Sequence, residues 1–139
     1  MSHMNLGPRK RGKKSDRTRL ITKLDQAFSE RIRKRDGVCR YCKKSSTVYC
    51  HHIFSRRHLG TRWDTENGVA LCIYCHRYIA HGDPEKFRDW VLTWMPEQKF
   101  NALKFKAYSP AKFRESDLSL MLNMMKCTAC QRPDLMEAF

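Results

Sequence analysis

Two Cys-x-x-Cys pairs, Cys39–Cys42 and Cys72–Cys75, constrain this 139-residue chain more than any other feature. Each pair offers two thiolates from one tight turn, and together they supply the four-sulfur shell that structural zinc takes. Seven cysteines cannot all pair as disulfides within one chain. In a reducing compartment such turns read as metal sites. Between Cys42 and Cys72 lie 29 residues, more than the roughly 15–20 of a plain four-cysteine ribbon. The insert holds His51-His52-Ile53 and Asn67, and the second pair runs directly into His76. A closed four-cysteine site uses no histidine, so these residues suggest a second, chemical site built on a zinc-held frame.

Charge points to the partner. Lys and Arg number 28 against 14 Asp and Glu, a formal net charge of +14 and a pI of about 9.8. Such an excess favours a polyanion, and DNA is the expected one. No apolar run of membrane length and no secretory leader is evident, so the expectation is a cytoplasmic protein with no membrane partner. No organic cofactor is expected, and the sequence leaves the oligomeric state open.

Residues 1–19 carry seven Lys/Arg and almost nothing apolar, which predicts a mobile basic arm lying along phosphates. Within it, Ser2-His3-Met4 reads as a cloning remnant, and His3 is left out of the chemistry. Leu20, Leu24, Phe28 and Ile32 repeat every four residues, predicting a helix over 20–35 that stops at Gly37 and braces the first knuckle. Short strands are expected at 47–54 and 69–71. Residues 55–65 read as a polar binding loop, in which Arg56 or Arg57 could clamp a phosphate. A short helix over 73–80 follows, then a helix that opens at Asp83-Pro84 and ends before Pro96. Further helices are expected around Phe100, Leu103, Phe105 and Tyr108, and after Ser109-Pro110. The division is therefore a basic arm (1–19), a core with its brace helix (20–95) and a helical extension (96–139). Cys50 reads as a small buried residue, His58 as surface, and Cys127 and Cys130 as free thiols.

Cys-x-x-Cys, His-His-Ile, Asn and Cys-x-x-Cys-His in this order resemble the HNH, or ββα-metal, endonucleases over about a third of the chain. Arg35-Asp36-Gly37-Val38-Cys39 and Arg62-Trp63-Asp64 look like phage recombination endonucleases of the Rap/NinG kind. The resemblance implies an α+β fold: a small ββα-metal core held by the four-cysteine zinc site, with flanking helices. It implies a bacterial or phage-encoded DNA endonuclease yielding 3′-hydroxyl and 5′-phosphate ends, and branched or recombination DNA as a substrate. By resemblance, His51 and His76 bind the catalytic divalent ion, Mg²⁺, Mn²⁺ or another. His52 is the general base, Asn67 holds the loop in register, and Cys39, Cys42, Cys72 and Cys75 hold zinc. Several relatives carry a third metal histidine four residues after the position of His76, but here that place is Ala80. On an α-helix His81 stands about 140° round from His76 and shares the ion only if the helix unwinds before Gly82. Two histidines leave room for water and phosphate oxygens, which suits an Mg²⁺-type site. The competing reading is a zinc-stabilised nucleic-acid-binding module without nuclease activity.

Overall fold

In the computed structural model, described for residues 12–127, the chain folds around a two-stranded antiparallel hairpin. Strand β1 (Val48–His52) pairs with β2 (Gly68–Cys72), with His51 opposite Val69 and His52 opposite Gly68. Helix α1 (Asp16–Asp36) precedes them, and a short helix α2 (Leu59–Arg62) lies between them. After β2 come a π-helical segment (Cys75–His81), then α3 (Pro84–Trp94), α4 (Glu97–Tyr108) and α5 (Glu115–Lys126). β1, β2 and the π-helical segment make the ββα unit, flanked by helices on both sides in sequence, so the α+β architecture is the observed one.

Helix α1 starts at Asp16, four residues before its apolar stripe. Ser15 caps it by accepting the Thr18 N–H, and Asp16 suits the positive end of the helix dipole. The first eleven residues of the basic arm, with Ser2-His3-Met4, lie outside the described residues. Gly37 ends α1 at φ 72°, a left-handed conformation that glycine adopts without penalty, while its N–H bonds the Arg33 carbonyl.

All five β2 residues are buried, and their alternation divides two apolar clusters. Val69 and Leu71 pack with Cys39, Cys72, Cys75 and residues of α3 and α4. Ala70 packs with Leu24, Phe28 and Ile32 of α1, Trp63, and Leu118, Leu122 and Met125 of α5. The brace helix therefore sits in the cluster without the knuckle cysteines, a correction to its expected seat on the knuckle. Polar bonds add to this apolar tie to the hairpin. The Asp36 carboxylate accepts the Ala70 N–H at 2.9 Å, and Arg35 donates to the carbonyls of Thr65 and Gly68 at 2.7 and 2.8 Å. A Cβ on Gly68 would lie 2.7 Å from Ile32 and 2.9 Å from Phe28, so glycine is what lets α1 approach the strand opposite His52.

Three further expectations change. The loop over 55–65 contains α2, and its Thr61 and Trp63 are buried. In α4 the inner face is Phe100, Leu103 and Ala107, with an i, i+3, i+7 spacing, whereas Phe105 and Tyr108 are exposed. The last helix opens at Glu115, beyond Ser109-Pro110, because Asp117 caps the Arg114 N–H at 2.7 Å; Phe113 packs from outside it. Among the described residues no helix is long and apolar enough to cross a membrane.

Candidate active site and metal centres

Cys39, Cys42, Cys72 and Cys75 converge with their sulfurs within 4.8 Å of one another, and none is in a disulfide. The Cys42 and Cys72 sulfurs are 3.8 Å apart. That is the edge of a tetrahedron with metal–sulfur bonds of about 2.3 Å, roughly 3.8 Å. The Cys75 N–H points at the Cys72 sulfur at 3.5 Å, as backbone donors do around thiolates. Burial works against ionisation of Cys39, yet backbone N–H groups of Cys42 and Cys72 and the neighbouring Cys42 thiol hold it at about 7. Burial pushes the Cys75 thiol the other way, so it is the sulfur ligand type and the spacing that fit a tetrahedral soft-metal site. Cys50 takes no part; burial pushes its thiol up to about 12. Cys127 is half-buried, and Cys130 lies outside the described residues.

The second cluster is imidazole. His51, His76 and His81 each bring a ring nitrogen within 4.8 Å of the other two. Their rings meet edge to face at 4.7–5.2 Å, and Phe87 closes the set against His51 at 4.9 Å. His81 joins because residues 75–81 form a π-helical segment rather than the expected α-helix. Its i→i+5 ladder brings residue i+5 back over residue i, and such segments are frequent at functional sites. His76 and His81 are five apart. The expected two-histidine set therefore becomes three. Burial, with repulsion from His76 and His81, pushes His51 down to about 3, and burial also lowers His76. Both rings are neutral near pH 7, with lone pairs available to an ion. Three imidazoles suit a transition metal better than Mg²⁺, which takes oxygen ligands.

His52 points to the other face of β1, as strand alternation requires. Its ring stacks on Phe28, 5.1 Å between centroids and 23° from parallel. Nε2 lies 2.9 Å from the Arg62 carbonyl. A carbonyl can only accept, so Nε2 carries the proton and Nδ1 is left as the basic nitrogen. Burial lowers the His52 pKa, partly offset by that hydrogen bond. Arg62 is itself held: its guanidinium donates twice to Asp25, at 3.0 and 2.7 Å, and Trp63 Nε1 donates to the same carboxylate at 2.8 Å.

Asn67 is fully buried in the turn before β2. Its side chain donates to the carbonyls of Phe54 and Thr61 and accepts the Phe54 N–H at 2.7 Å, while its own carbonyl accepts the Ile53 N–H. These bonds close the loop between the strands. Asn67→Ala would strand three buried backbone groups at about 1–3 kcal/mol each. Thermal melting should show a loss of about 3 kcal/mol or more.

His51, His52, His76 and His81 line one cavity of about 830 Å³, and Arg56 and Arg88 line it as well. Arg57 does not line it. His58, expected on the surface, is half-buried against Tyr108 at 4.7 Å. Sequence reasoning missed Arg88, which reaches the cavity only through the placement of α3, and Asp25, which acts through Arg62.

Residues 39–81 match the family model described as HNH endonuclease. No curated protein and no solved structure gives a match. The matched span begins at the first clustered cysteine, ends at the third clustered histidine and contains the whole ββα unit, so it is this unit of the chain that is similar to the HNH endonucleases.

Proposed function

We propose that the protein is a metal-dependent DNA endonuclease in which His52 is the general base. The observation that carries this reading is the shared cavity. A neutral histidine with one nitrogen committed to a carbonyl lines the same space as three imidazoles able to hold a divalent ion. A bound ion would supply Lewis-acid stabilisation of the phosphate, and a zinc in the four-cysteine cluster would hold the frame. His52 Nδ1 takes a proton from water as the hydroxide oxygen bonds to phosphorus and the P–O3′ bond breaks, and the departing 3′-oxygen takes a proton from solvent, leaving 3′-hydroxyl and 5′-phosphate ends. Arg56 and Arg88 would hold the non-bridging phosphate oxygens. Asn67 acts at a distance, by keeping the strand ends in register.

Arg35-Asp36 and Arg62-Trp63-Asp64, the residues like those of recombination endonucleases, have structural partners here. They support a shared framework more than a choice of DNA branch structure.

The test is cleavage of supercoiled plasmid and of a flapped duplex oligonucleotide with Mg²⁺, with Mn²⁺ or with no added ion. Cutting only with added ion supports the proposal, and binding without cutting under every ion refutes it in favour of a binding module. His81→Ala checks the third ligand. Loss of a residue that merely supports a metal ligand costs about 10–100-fold in affinity, so loss of the ligand itself should weaken Mn²⁺ binding at least that much. Calorimetric titration measures it.

A further inference from the structure

We propose, resting on the nuclease reading, that the substrate carries unpaired nucleotides beside the scissile phosphate, and that an exposed aromatic shelf next to the histidine cluster stacks them. A second groove of about 350 Å³ shares Ser29, Cys50 and His76 with the main cavity, so the two adjoin. Its lining includes Tyr49 and Ile73, 45% and 47% exposed, and Arg33, and no carboxylate. Tyr74, at the start of the π-helical segment that carries His76, and Tyr78 within it pack ring to ring at 4.9 Å and are 62% and 61% exposed. Arg77, also exposed, lies between them in sequence.

Large apolar side chains left in water around a site mark an interaction surface. A protein partner could cover such a patch, but this one adjoins the cavity proposed for a phosphodiester. It belongs to a chain of net charge +14, and the charged residue lining its groove is the cation Arg33. An unpaired base fits that chemistry, since any base can stack on an aromatic ring while a cation holds the adjoining phosphate. A continuous duplex keeps its bases stacked on each other and gives the shelf nothing to hold.

The experiment is fluorescence-anisotropy binding of the full chain to a labelled single-stranded oligonucleotide and to the matching blunt duplex, with no divalent ion added, so that nothing is cut and any ion held by the four cysteines stays in place. Tyr49→Ala and the double variant Tyr74→Ala/Tyr78→Ala should each weaken single-strand binding on the order of tenfold or more, as expected for the loss of base stacking. Duplex binding should move less than twofold. Tyr49→Phe, which keeps the ring, should retain single-strand affinity. All three tyrosine side chains are exposed, and unchanged melting temperatures check the fold. Unchanged single-strand affinity, equal losses on both DNAs, or no single-strand binding by the unsubstituted protein would each overturn the shelf. Cleavage of a flapped duplex by the same variants, with Mg²⁺ or Mn²⁺, separates the two readings: cutting with no stacking effect defeats the shelf alone, whereas stacking without cutting by any form defeats the nuclease.

Discussion

His52→Gln should leave a folded, DNA-binding protein whose metal-dependent cleavage is lower by about 10²–10⁴-fold, the usual contribution of a general base. Glutamine is the informative replacement. Its amide N–H can still donate to the Arg62 carbonyl, where His52 Nε2 lies at 2.9 Å, but an amide has no basic nitrogen. Alanine would confuse the result by leaving that carbonyl unpaired and a gap against the Phe28 ring. The unsubstituted enzyme should also show a characteristic acid limb. Only neutral His52 accepts a proton, so rate falls as pH drops through its pKa. Burial holds that pKa below the ordinary 6.5, so activity should persist at pH 6.5 and decline only below it. Initial nicking rates across pH, with melting temperatures of both forms, provide the check. Cutting by His52→Gln within a few-fold of the original would remove His52 from the reaction.

What sequence could and could not reveal divides along physical lines. The sulfur pairs, the adjacent histidines, Asn67 and the apolar stripe through Leu24, Phe28 and Ile32 are local patterns whose meaning survives without coordinates, and the four sulfurs do cluster. His81 was hidden because the assumed angular period was that of an α-helix. With the spacing His76–His81 at five residues, an i→i+5 ladder is the one helical form that aligns them, so the spacing itself held the clue. Phe105 and Tyr108 misled because hydrophobicity alone placed them inside, while the helix period turns them outward. Arg88 and the Asp25–Arg62–Trp63 set were illegible, since their partners lie 37 and 38 residues apart or meet only through packing. Two adjacent histidines on opposite faces follow from strand alternation; the carbonyl that selects the tautomer of one of them does not.

Cys39→Ser should abolish the cooperative fold, whereas loss of the ion at the histidines should not. The sulfur cluster is knitted into the core: Cys39 is fully buried, and Cys39, Cys72 and Cys75 pack with Val69, Leu71, Phe87 and Val91. Structural zinc contributes about 10–16 kcal/mol of folding free energy in small metal domains, comparable with the entire 5–15 kcal/mol stability of a typical protein. Serine replaces a thiolate with a hydroxyl that zinc binds poorly, and the three remaining thiols stay crowded within the core. Near-ultraviolet circular dichroism and thermal scans should show lost tertiary packing in this variant, and a strong zinc chelator should do the same to the unsubstituted protein. Acid should act in the same direction, because the ion needs all four sulfurs deprotonated and protons compete for them as pH falls. His81→Ala is the counterpart. His81 is exposed, with ring contacts to His51 and His76, so the melting temperature of His81→Ala should stay within a few degrees while ion binding at the second cluster collapses. If Cys39→Ser melts as the original does, the frame is carried by apolar packing alone and the two metal centres are not the division of labour that separates this fold from its chemistry.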